Sequence, residues 1–167
     1  MNIRLAVLVL MLSSTPAFAQ DAPNPLIDYN AFADNVRSVG AARPDRRVSE
    51  AQFIRMAREP GTVVLDARSA EKFALLHVKG AVNLSLPDIT EAELAKIIPA
   101  KTTRILIYCN NNFLNEQRAF PSKAPAASLN VHTFNVLHAY GYTNVYELGP
   151  LIDIRAAKLR FEGSERS

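Results

Sequence analysis

The sequence predicts an α/β fold: a mainly parallel central sheet flanked by helices on both faces. Short apolar or β-branched runs at 62–65, 81–85, 104–108 and 144–148 alternate with helical stretches at 49–57, 69–77, 90–98 and 131–140. Strands separated by helices are joined by crossovers, which run neighbouring strands parallel. Of 167 residues, 49% are hydrophobic and 21% charged, a composition that suits an ordinary buried core and excludes a disordered or collagen-like chain.

The N-terminus reads differently from the rest. Arg4 precedes an unbroken apolar run over residues 5–12, followed by Ser13, Pro16 and the small residues Ala17 and Ala19. This is the pattern of a secretory signal peptide, here cut after Ala19. The run is far short of the ~20 residues that span a bilayer. The expectation is a secreted or periplasmic protein with no membrane span after cleavage. Without residues 1–19 the chain keeps 148 residues and 18 basic against 16 acidic side chains, because Arg4 is the one charge removed. No basic block remains, so neither nucleic acid nor an anionic membrane is expected as a partner. Such a length buries roughly 70% of its unfolded surface as one domain.

Residues 20–48 form an N-terminal extension: a Pro-rich lead-in, a short helix at 29–39 and a polar stretch at 40–48. The domain proper covers 49–163. Ser49 caps a helix that stops at Pro60 and Gly61. The run 62–65 is short and β-branched, as in a strand buried on both faces. Ser69 with Glu71 opens the next helix. A strand at 81–85 and a helix at 90–98 ending before Pro99 follow, then the most apolar strand, 104–108. A long polar loop separates Cys109 from Asn130. The helix 131–140 is stopped by Gly141, and a last strand covers 144–148.

In such a sheet, ligands bind beyond the carboxyl ends of the strands. Asp66 and Arg68 follow one strand directly and Cys109 follows another, so all three side chains start at one edge. Cys109 is the only cysteine, which excludes an internal disulfide in the oxidising compartment that an exported chain enters. Two readings of it stand: a buried, inert strand end, or a nucleophile whose thiolate is favoured by the amides of the following loop. Asp66 and Arg68 are expected to pair with each other or with loop backbone and to shape the site edge. His132 and His138 lie six apart on one helix and do not share a face, so no metal site is expected.

The segments Val64-Leu65-Asp66-Ala67-Arg68, Glu71, Phe73, His77 to Asn83, Ile105 to Cys109, Gly141-Tyr142 and Asn144-Val145-Tyr146-x-Leu148, taken in this order, resemble rhodanese-like domains over about residues 49–161. The resemblance implies a sulfurtransferase without organic cofactor, in which Cys109 takes sulfane sulfur from a small anionic donor such as thiosulfate. Cys109 then holds it as a persulfide and passes it to a thiol acceptor.

The departure from that family lies in the loop. Active members have a tight Cys-x-x-Gly-x-Arg loop running into the next helix, whereas the loop here has no Gly and is much longer. Asn110, Asn111 and Asn112 are candidates for the sharp turn, because Asn tolerates positive φ, and for substrate binding through their carboxamides. Arg118 and Lys123 are the loop's cations, either binding the anionic donor or facing solvent. The Cys-x8-Arg spacing differs from the Cys-x5-Arg of the related phosphatases. Pro121 and Pro125 stiffen the remainder, as in a lid. The alternative is a catalytically inactive module whose 110–130 insert recognises a protein or a small ligand.

Overall fold

A computed structural model describes residues 24–166, so the leader and its cut after Ala19 lie outside the described residues. The most apolar run becomes the central strand. Arg104–Tyr108 lies between Thr62–Asp66 and Val145–Leu148, with all pairings parallel. Its side chains alternate between two cores, as strand period demands. Ile105 and Ile107 enter one and Leu106 and Tyr108 the other, and the three aliphatic residues have no exposed surface.

In chain order the elements are α1 (Tyr29–Ala42), β1 (Arg47–Val48), α2 (Glu50–Ala57), β2 (Thr62–Asp66), α3 (Ala70–Leu75), β3 (His77–Val78), β4 (Val82–Asn83), α4 (Glu91–Ile97), β5 (Arg104–Tyr108), β6 (Phe113–Leu114), α5 (Leu129–Ala139), β7 (Val145–Leu148), β8 (Ile152–Asp153) and β9 (Phe161–Glu162). The sheet order is β1-β7-β5-β2-β4. Phe53 of α2 and the end of α3 cover one face; Leu94 of α4, Phe134 and Leu137 of α5 and Val39 of α1 cover the other. The α/β class and the two helical layers are therefore present.

Several boundaries differ from the sequence expectation. The helix predicted over 69–77 stops at Leu75, because Leu76 turns extended and delivers His77 and Val78 to an antiparallel pairing with Glu162 and Phe161. The strand predicted at 81–85 keeps two residues. Beyond them Leu84 and Leu86 donate N–H bonds to the Asp66 and Ala67 carbonyls without extending the ladder. Residues 29–48 supply a helix packed on α5 and an edge strand whose Arg47 and Val48 stand opposite Glu147 and Leu148.

The largest correction concerns the stretch after Cys109, expected as a polar loop with a proline-stiffened lid. Phe113, Ala119 and Phe120 have no exposed surface, and β6 pairs with β8. The Phe113 ring lies tilted at 4.6 Å from that of Phe120 and edge-on at 5.2 Å from that of Phe161. Two aromatic anchors of this size make the stretch part of the core. Among the described residues no helix is long and apolar enough to cross a membrane.

Candidate active site

Cys109 leaves β5 in extended conformation, and the chain then turns through a 3-10 helix at Asn110–Asn112. The turn needs no positive φ. Among the described residues the non-Gly residue with positive φ is Asn115, at 65°, so the tolerance of Asn for the left-handed region is used three residues later than expected. Asn112 folds back to accept the Cys109 N–H at 2.9 Å, and its own N–H returns to the Cys109 carbonyl at 3.1 Å.

The three asparagine carboxamides work chiefly as staples. Asn112 donates to the Leu148 and Pro150 carbonyls at 2.8 and 3.2 Å and accepts from Asn130 at 3.1 Å. Asn111 exchanges a reciprocal pair with the backbone of Lys123, at 2.8 and 2.9 Å. Asn110 donates to the Pro121 carbonyl. Each bond ties the turn to a distant segment, which holds the sulfur's backbone still.

The Cys109 side chain is 1% exposed and borders a hollow of about 320 Å³. Its Sγ lies 3.3 Å from the Ser128 hydroxyl. Ser128 stands at the N-cap of α5 but makes no capping bond with its side chain, so its hydroxyl faces the sulfur instead. Asn111, Asn112, Arg43, Arg47 and Glu147 share the hollow. Glu147, 1% exposed, receives Arg43 at 2.9 Å and Arg47 at 2.9 Å. Arg47 also donates to the Gly149 carbonyl at 3.1 Å. The triplet leaves one net positive charge beside the cysteine.

Of the loop cations, neither joins this hollow. Arg118 is exposed and pairs with Glu165 at 2.9 Å. Lys123 borders a second hollow of about 370 Å³, on the side of Arg68, Lys72 and Asn110. Asp66 and Arg68 are buried and paired through Nη2 at 2.6 Å. Arg68 reaches on to the Ala119 and Leu76 carbonyls, both at 2.8 Å, and its guanidinium lies 4.1 Å over the Phe120 ring. Tyr108 donates to Asp66 at 2.5 Å and accepts from the Val78 N–H. Burial, then the neighbouring Asp66 charge, push the Tyr108 hydroxyl well above its ordinary range, so it acts as a fixed donor. The expected Asp66–Arg68 pairing is present, and it braces the insert from beneath.

Sequence reasoning missed Ser128, Asn130, Arg43, Arg47 and Glu147. A signal for the last three was available. Glu147 sits inside an otherwise apolar strand, where a carboxylate needs a cation. Arg43, Arg46 and Arg47 form a basic cluster just ahead of the domain to which the sequence reading gives no role.

A family model described as "Rhodanese-like domain" matches residues 49–149. Thiosulfate sulfurtransferase PspE of Escherichia coli (strain K12) is 28% identical over 96 residues, covering 58% of this chain and 77% of that protein. Two solved structures share the fold. The BH2092 protein from Bacillus halodurans has a TM-score of 0.52 at 20% identity, over 80% of this chain and 88% of that one. The rhodanese-like domain of the Alr3790 protein from Anabaena sp. has a TM-score of 0.52 at 21% identity, over 73% and 82%.

Proposed function

The chain belongs to the rhodanese-like domain family, and from that premise we propose that it is a sulfurtransferase carrying sulfane sulfur as a persulfide on Cys109. The observation that carries this reading is the position of Sγ: at the carboxyl end of the central strand, beside a Ser hydroxyl, bordering a hollow with net positive charge. The similarity to a thiosulfate sulfurtransferase supports the donor class.

Cys109, reacting as the thiolate, attacks the outer sulfur of thiosulfate. A bond forms between Sγ and that sulfur. The bond to the sulfonyl sulfur breaks, and sulfite leaves with the electron pair. A thiolate acceptor then takes the outer sulfur and returns Cys109 to its starting form. Neither half needs an external oxidant. The Ser128 hydroxyl donates to the sulfur anion in either half-reaction. Export belongs to the same proposal, and the leader pattern of residues 1–19 supports it.

The test is intact mass after incubation with thiosulfate. The expected result is a gain of one sulfur at Cys109, lost on cyanide treatment and absent in Cys109→Ser. No adduct with thiosulfate or an organic polysulfide overturns the reading. The second reading, an inactive module that binds a protein or small ligand, draws on the 1% exposure of Cys109. It requires Cys109→Ser to keep full function in the cell.

A further inference from the structure

We propose that Arg43 and Arg47 are the specificity-determining residues for the sulfur donor, gripping its oxyanion end while the outer sulfur meets Cys109. The inference rests on the sulfurtransferase reading above and names the donor class as a thiosulfonate: thiosulfate itself, or an organic thiosulfonate with the same oxyanion end.

Both arginines border the hollow that Cys109 borders. Both precede the stretch matched by the family model, 49–149, so a cysteine inside the family segment shares its hollow with charges delivered from outside it. Their placement is built. Parallel register sets Arg47 opposite Glu147, and the buried carboxylate holds Arg47 through Nε and Arg43 through Nε and Nη2. Neither Arg43 Nη1 nor Arg47 Nη1 has a partner among the described residues. The third basic residue of the cluster, Arg46, lies 4.8 Å over the Tyr146 ring and does not border the hollow.

One carboxylate against two guanidiniums leaves a surplus positive charge, with planar donors matched to an oxyanion. Arg118, exposed and spent on Glu165, and Lys123, on the other hollow, leave that task open. A neutral polysulfide gains nothing from the surplus charge, so the arrangement discriminates by donor charge.

The experiment measures two things on the full chain and on Arg47→Gln and Arg43→Gln, each of which leaves Glu147 one arginine. The first is protection of Cys109 from uncharged N-ethylmaleimide by sulfate, against chloride at equal ionic strength. The second is the half-saturating concentration of thiosulfate, and separately of a neutral organic trisulfide, for persulfide formation. Sulfate is expected to protect the parent chain. In the variants the half-protecting sulfate and half-saturating thiosulfate concentrations rise about tenfold, the cost of losing a charged hydrogen bond. The limiting rate and the trisulfide value change less.

If thiosulfate loads Cys109 with parent half-saturation in both variants, or if thiosulfate and trisulfide weaken equally, the proposal is overturned and the sulfurtransferase reading stands. If no donor loads Cys109 of the parent chain, that reading fails and takes this one with it, even where sulfate protects.

Discussion

Asn112 occupies the point where most of the site's backbone converges, and every hydrogen-bonding position of its carboxamide is used. The oxygen accepts from the Cys109 N–H and from Asn130, and the nitrogen donates to the Leu148 and Pro150 carbonyls. Asn112→Ala strands buried donors and acceptors, at a cost of about 3 kcal/mol. Asn112→Asp, nearly the same shape, sets a carboxylate against two carbonyls and is expected to lower the urea midpoint at least as far. An Asp variant as stable as the parent would show that these bonds do not hold the turn. Cys109, Asp66 and Arg68 were legible in the sequence because a strand end can be located by counting residues. The work of Asn112 was not, because its acceptors lie 36 and 38 residues away and nothing local in the sequence points to them.

At the level of elements, the stretch after Cys109 behaves as a second layer clipped over the first. Phe113→Ala is expected to cost about 3–5 kcal/mol by the cavity it leaves between Phe120 and Phe161, read as a shift in urea midpoint. Deleting the stretch is therefore expected to unfold the protein. At the clip's far side, the end of β8 carries an exposed ion pair, Asp153 with Arg155 at 2.7 Å. The Asp153 carboxyl is drawn well below the usual carboxylate range by the Arg155 side chain and N–H, with Asn115 adding a further bond. Glu162 in β9 is lowered by the Gly80 N–H and by His77. Because both folded-state values are depressed, their stabilisation is present above the ordinary carboxylate range and is lost as the pH falls through the folded values. The urea midpoint is expected to decline from roughly pH 5 downward, and Asp153→Asn to flatten that decline. An unchanged slope would dismiss the ionic clip. The three long strands β2, β5 and β7 were legible because each runs long enough to show its pattern. The strands β6, β8 and β9 have two residues each, too few for periodicity, and Phe113 and Phe120, seven apart in a stretch rich in Asn and other polar residues, carry no pattern either.

Across the whole molecule, the segment ahead of residue 49 does more than precede the domain. The composition of 40–48 read as a polar separator, since arginine, proline and aspartate are surface residues by base rate. What the sequence could not convey is the fate of Glu147, a carboxylate 1% exposed whose two cations both come from that separator. Removing residues 1–48 strips both arginines from it and uncovers the surface of α5 on which α1 packs, in the apolar cluster that Val39 shares with Phe134 and Leu137. A buried charge left without its partner costs about 3–5 kcal/mol, so the truncated chain is expected to melt well below the full one. Burial of apolar surface by α1 contributes to the same loss, and one further change separates the two causes. Glu147→Gln in the truncated chain removes the orphaned charge while leaving the uncovered surface as it is, so it should recover a substantial part of the deficit. In the full chain the same substitution removes a satisfied carboxylate and should lower stability. Opposite signs in the two backgrounds would identify Glu147 as the joint between the preceding segment and the sheet. Equal effects in both would mean that the segment is held by packing alone.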